Sequence, residues 1–318
     1  MKSSSELTDY YYKILHTDLL ELERDRKKLK SKVTTSLFGI AFITLILILS
    51  LYKFFNMAIV FVLFIALVLS VFTYKWMIKD YVIDFKFRII APLIKAVDDN
   101  LHYSATAHLS QRLFEHSGLF KQKIDRFSGN DLVKGMIDGT SLAFSDLHVE
   151  HESKNSKGQS HWETLFQGLF IVADFNKHFK ASTLVLPDRA QKSFGDVIGG
   201  WLQSQNTTHG QLIKMDDPEF EKHFVVYGSD QVEARYLLTP SMMKRILDLK
   251  HRSKQELYLS FKSGQIYIAI AYNKDLFEPS LFGSLLDYKQ AIEYIKTLHL
   301  AIGIVEELKL NQKLWSKQ

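Results

Sequence analysis

VTTSLFGIAFITLILILSLY (residues 33–52) and MAIVFVLFIALVLSVFTY (residues 57–74) are separated only by Lys53-Phe54-Phe55-Asn56. Neither run holds a charged residue. At ~1.5 Å per residue, each spans roughly the 30 Å hydrocarbon thickness of a bilayer. Two such runs joined by four residues predict an antiparallel transmembrane hairpin whose two ends leave the membrane on the same face.

The flanking charge predicts which face. Arg24, Arg26, Lys27, Lys28, Lys30 and Lys32 precede the first run, and Lys75, Lys79, Lys86 and Arg88 follow the second. The connection carries Lys53 alone. Cytoplasmic flanks hold the excess of Lys and Arg, so both termini are expected in the cytoplasm. A cleaved signal peptide fits poorly, because the first run is long, lacks a small-residue cleavage site and is followed at once by a second. Tyr52, Phe54, Phe55, Tyr74 and Trp76 stand where an interfacial aromatic belt belongs.

The chain of 318 residues has a formal charge of +5. Residues 1–79 hold 11 Lys and Arg against 6 Asp and Glu, and residues 80–318 hold 29 of each. The whole excess therefore flanks the membrane runs, where it fits anionic lipid headgroups and not nucleic acid. Cysteine is absent, which excludes disulfides and thiolate chemistry. Ser and Thr are the only polar residues inside the spans, which argues for an anchor over an ion path.

Outward from the hairpin, four regions are expected. Residues 1–32 form a cytoplasmic helix with a stripe at Leu7, Tyr11, Ile14, Leu15 and Leu19. That stripe reads as a solvated helix running into the first span, or as one that pairs with another protein. Residues 33–78 are the transmembrane hairpin. Residues 79–124 are a helical neck, with Pro92 interrupting one helix and Ala105–Phe120 forming another. Residues 125–318 are a cytoplasmic α+β domain.

In that domain the apolar period changes to two. Asp138-Gly139 predicts a type I′ hairpin turn between 131–137 and 140–150. Trp162–Phe175 reads as a central strand, and Ser182–Leu186, Gln211–Met215 and His223–Tyr227 as shorter ones. Leu257–Phe261 and Ile266–Ile270 form a second hairpin. Gln191–Ser204, the segment capped by Asp230 and the segment starting at Thr239-Pro240 read as helices. Asp287 is expected to cap a closing helix to about Leu310, with Ile292, Ile295, Leu298, Ile302, Val305 and Leu308 buried. Many antiparallel strands with inserted helices give an α+β class, of which a pleckstrin-homology-like half barrel is one case.

Phosphate-loop, dinucleotide-binding, nucleophile-elbow and zincin motifs are all absent. His148, Glu150 and His151 invite a metal reading, but alternation along a strand sends His151 to the opposite face. Asp216, Asp217, Glu219 and Glu221 form an acidic run around Pro218, which reads as a solvated turn. Asp174, His178 and Asp188 sit at strand ends with nothing further to select them. No catalytic residue, metal ligand or cofactor is therefore assigned.

Three strings carry a resemblance: Phe127–Val133, Gly168–Lys180, and Asp217–Tyr227 with its continuation Asp230–Pro240. They resemble the bacterial domain-of-unknown-function family numbered 3137. The resemblance implies a two-span inner-membrane protein with a cytoplasmic domain and a LemA-type envelope partner. It supplies no catalytic residues. The expected function is a membrane-anchored module that binds a protein or lipid partner at the membrane surface. The alternative is a membrane-anchored enzyme, such as a hydrolase, with a site of Asp, Glu and His.

Overall fold

The structure is a computed structural model. It describes residues 3–51, 56–154, 158–175, 177, 179–188, 210–308 and 310. The connection Lys53–Phe55, Tyr52, the loop tip 155–157, His178 and the expected helix Gln191–Ser204 lie outside the described residues. The chain divides into two compact units. One comprises Lys2–Ala96 with Phe277–Ile295, and the other comprises Val97–Leu276 with Lys296–Gln318. These limits differ from the boundaries at 33, 79 and 125 expected from sequence.

The first unit is helical. Helix α1 (Ser4–Asp9) opens on a capping box, in which the Ser3 hydroxyl accepts from the Glu6 N–H and the Glu6 carboxylate accepts from the Ser3 N–H. A π-helical turn (Tyr10–Ile14) leads into α2 (His16–Leu51). Helix α3 (Asn56–Phe85) packs along α2 and passes through a second π-helical turn (Lys86–Ile90) into α4 (Ala91–Val97). In that turn the Ala91 N–H reaches the Lys86 carbonyl. The wider turn falls directly before Pro92, which has no N–H to donate, so the interruption expected there is a local change of helical pitch.

Both long helices are apolar enough to cross a membrane. Their faces are open: Phe42, Leu49, Phe64 and Phe72 are 61–68% exposed. Thr44 donates to the Ile40 carbonyl and Ser70 to the Ala66 carbonyl, both at 2.7 Å, so these hydroxyls are satisfied within their own helices. Such surface suggests a membrane anchor.

The N-terminal stripe corrects an expectation. Leu7, Tyr11, Leu15 and Leu19 are at most 4% exposed, whereas Ile14 is 65% exposed. Most of the stripe is therefore buried and not solvated, and within the same unit the Tyr11 hydroxyl donates to the Leu285 carbonyl at 3.0 Å.

The second unit is built on one nine-stranded, wholly antiparallel sheet in the order β1-β2-β3-β4-β9-β8-β5-β7-β6. The strands are β1 (Leu101–Ser104), β2 (Arg126–Ile137), β3 (Thr140–Lys154), β4 (Ser160–Asp174), β5 (Thr183–Pro187), β6 (Gln211–Ile213), β7 (Phe224–Gly228), β8 (Glu256–Lys262) and β9 (Gln265–Ala271). The class is thus α+β, as the sequence predicts. Both expected hairpin turns form, with φ of 47° and 77° at Asp138 and Gly139, and 54° and 75° at Ser263 and Gly264. Central strand β4 is buried on both faces from Leu169 to Ala173. At Gly168, φ is 146°, and a Cβ would stand 2.3 Å from the Ile270 carbonyl oxygen. Glycine there lets β4 and β9 approach.

The helical neck expected over residues 79–124 stops early. Residues 101–104 are the edge strand β1, and within Ala105–Phe120 only α5 (Gln111–His116) is helical. Burial overrides helical spacing in this segment. Phe114 sits at the centre of an aromatic cluster, with ring centroids 5.0–5.8 Å from Phe120, Phe127, Phe166 and Phe170. The segment thereby roofs one face of the sheet. Helices α6 (Pro218–Glu221), α7 (Gln231–Leu237) and α8 (Pro240–Ser253) follow, each with its cap at Asp217, Asp230 or Thr239. The Glu233 carboxylate does not close a capping box; it accepts from the N–H groups of Lys180 and Ala181.

Helix α9 (Tyr288–Glu307) starts one residue after Asp287, whose carboxylate accepts from the Lys289 N–H. Ile295, Leu298, Ile302, Val305 and Leu308 are buried as expected, while Ile292 is half-buried. Ala291, Tyr294, Leu300, Ala301 and Ile304 are also buried, so apolar contact surrounds most of the helix.

Candidate functional site

Most of the acidic and histidine candidates among the described residues have side chains engaged by neighbours. Asp217 caps α6, and Asp216 pairs with Arg235 at 2.6 Å. Glu219 pairs with Lys222 at 2.8 Å, and the Glu221 carboxylate accepts from the Met215 N–H at 2.8 Å. The run is therefore a solvated turn, as expected, that takes the form of a short capped helix with Phe220 buried beneath it. His151 Nδ1 lies 3.1 Å from Asp125, and His148 Nε2 lies 4.0 Å from Glu150. Lys123 and the Glu152 N–H hold the Asp125 carboxyl down at about 2. Asp174 accepts from Gln265, and the Asp188 N–H donates to the His223 carbonyl. Among the described residues, no three His, Asp or Glu side chains gather as a metal site.

A space of about 360 Å³ adjoins Asp216, Asp217 and Arg235, where Asp216 and Arg235 already pair. Two larger spaces lie among the described residues. One is a cleft of about 740 Å³ in the sheet unit, lined by Glu115, Ser117, Lys121, Lys123, Ser182 and Lys262. Its lysines suggest an anion, but three facts weaken that reading. Lys123 is already paired with Asp125, and Glu115 contributes a carboxylate. Partial burial of its ammonium end lowers Lys121 to about 8, although much of that residue stays exposed.

The other is a groove of about 620 Å³ between α2 and α3 in the helical unit. Its floor is apolar, from Leu22, Leu29, Met77, Ile83 and Phe87, with Asp25, Asp80 and Asp84 along it. Phe87 is 75% exposed, unusual for a large aromatic side chain outside the apolar runs. Tyr81 lines the groove at 8% exposure, and its hydroxyl has no hydrogen-bond partner among the described residues.

Ion pairs, the buried Glu23–Arg26 pair among them, link residues of the helices beside this groove. Arg26 donates to both carboxylate oxygens of Glu23, at 2.6 and 2.8 Å, and to the Leu281 carbonyl at 2.7 Å. Glu23 also accepts from the Leu285 N–H. Lys86, 2% exposed, meets Glu278 at 2.5 Å. Arg88 joins α2 by bonds of 2.6 Å to both Asp18 and Glu21. In the sequence these cations read as topology signals. The contacts of Arg26 with Leu281, Glu23 with Leu285 and Lys86 with Glu278 span some 190 to 260 residues of chain, and no local pattern announces them.

These features define a class: two membrane-length apolar helices on an ion-paired stem, carried in one chain with an antiparallel α+β domain. Residues 164–310 match the family described as "Protein of unknown function (DUF3137)". Two of the strings that carry the resemblance fall inside that match, and Phe127–Val133 falls outside it. No protein of curated function matches the chain. The crystal structure of the mycobacterial trehalose monomycolate transport factor A, TtfA, is similar at a TM-score of 0.33 and 11% identity, over 65% of this chain and 89% of that one. A likeness of that size carries no argument about role.

Proposed function

We propose that this chain is a membrane-tethered interaction module of the bacterial inner membrane. Both termini are cytoplasmic, and the hairpin over residues 33–78 is the anchor. The helical region to about residue 100 is the stem. The α+β domain, with its sheet starting at Leu101, stands at the cytoplasmic surface and serves to bind a protein or lipid partner there. A LemA-type envelope protein, implied by the family resemblance, is one candidate.

One observation carries this reading. The exposed apolar helices run without a break into a stem whose residues are linked by ion pairs, and that stem presents an open apolar groove beside the membrane runs. An anchor alone needs neither an ion-paired stem nor a groove. The charge pattern supports the orientation, with all of the net +5 in residues 1–79. Extraction of membranes with alkaline carbonate tests the anchor. Retention in the pellet is expected, and release into the supernatant contradicts it.

A further inference from the structure

We propose that the groove between α2 and α3 seats a basic amphipathic helix belonging to a second membrane protein. The proposal rests on the membrane-tethered reading and names the partner of that same groove.

Position and chemistry select this occupant. Met77 lies three residues after the second apolar run and Phe87 thirteen, while Leu29 lies four before the first and Leu22 eleven. At ~1.5 Å per residue, the groove begins roughly 5 Å beyond the runs and extends to about 20 Å. On the cytoplasmic side, this is the band where other membrane helices carry their excess Lys and Arg. A helix with apolar residues at i, i+3, i+4 and i+7 covers Ile83 and Phe87, and cations flanking that stripe meet Asp25, Asp80 and Asp84. Lys28 stands 3.5 Å from Asp25, and Arg88 stands 3.8 Å from Asp84. Both contacts are longer than the about 2.7–2.9 Å of a charge-assisted hydrogen bond, so these carboxylates keep capacity to accept from a partner.

The same carboxylates count against two other occupants. An anionic lipid headgroup inside the groove would face three like charges, because none of the flanking lysines and arginines that fit such headgroups lines it. A second copy of this chain, related by a two-fold axis, would set each carboxylate cluster against itself.

The test uses the full chain in its native membrane, with Phe87 replaced by the photo-crosslinker p-benzoylphenylalanine. The proposal expects an adduct with a different membrane protein. Sequencing the adduct should find a crosslinked segment that carries Lys or Arg at helical spacing and adjoins an apolar span. Asp25→Lys with Asp80→Lys should lower the adduct yield several-fold at an unchanged membrane level of the protein, whereas Asp80→Glu should keep it. An adduct of twice the chain's mass, a lipid adduct, no adduct, or a yield indifferent to charge reversal would overturn the proposal. Because the chain has no cysteine, Phe87→Cys reports the side of the membrane through an impermeant maleimide. Labelling from outside intact spheroplasts would sink the orientation itself. Labelling only in inverted vesicles, without an adduct, would sink the partner alone.

Discussion

Glu23 and Arg26, one helical turn apart on α2, form a two-point ion pair at 2.6 and 2.8 Å, with both side chains only 7% exposed. Between them they also bind the backbone at Leu281 and Leu285. The pair therefore ties α2 to the segment leading into α9, within one compact unit.

Arg26→Ala leaves the Glu23 carboxylate buried without its partner. Breaking a buried pair from one side costs roughly 3–5 kcal/mol. The detergent-solubilised variant should melt well below the parent, and proteolysis should cut early between 277 and 287. A parent-like melt would mean the pair is solvated and contributes little.

Gly168→Ala should destabilise the sheet. Its φ of 146° disfavours any side chain, and the new methyl group would meet the Ile270 carbonyl oxygen at 2.3 Å. Overpacking of this kind costs about 1–3 kcal/mol before backbone strain is added. Chemical denaturation should locate the loss, and slowed amide exchange along β4 and β9 in the variant would refute it.

Ile302 is 1% exposed on α9. Ile302→Asp places a carboxylate among apolar side chains with nothing to pair it. A domain stable by ~5–15 kcal/mol has little margin for that change. The variant should accumulate poorly and melt without a cooperative transition. A normal melt would mean this face of the helix opens to water.

Lys121 should titrate at about 8, because partial burial disfavours its ammonium form. A free lysine titrates near about 10.4. Lowering the value raises the fraction of neutral amine at pH 8, so Lys121 should acylate ahead of the other lysines there. Mass spectrometry across a pH series should give a reactivity midpoint near 8 for this residue. A midpoint near 10 would mean the cleft leaves it fully hydrated.

Local chemistry made part of this structure legible. Asp138-Gly139 and Ser263-Gly264 both supply the two positive φ values a type I′ turn requires, and the caps at Asp217, Asp230 and Thr239 declare themselves within three residues. Where the deciding partner is distant, sequence fails. Leu109, Leu113 and Phe114 have helical spacing, yet that segment spreads over the sheet because Phe166 and Phe170 are there to be covered. Leu7, Tyr11 and Leu15 look solvated in the sequence, yet all three are buried, and the Tyr11 hydroxyl donates to the distant Leu285 carbonyl. The groove was invisible for the same reason, since its walls come from two helices whose rotation about their axes no single stretch specifies.

The account stands or falls on both ends of the chain lying on the cytoplasmic side, with ten cations in the flanks of the apolar runs against one in their connection. A dual reporter fused after Gln318 measures this directly. The expected result is a fluorescent cytoplasmic reporter and a silent alkaline phosphatase. Phosphatase activity at that end would place the α+β domain outside the cytoplasm and contradict the central claim.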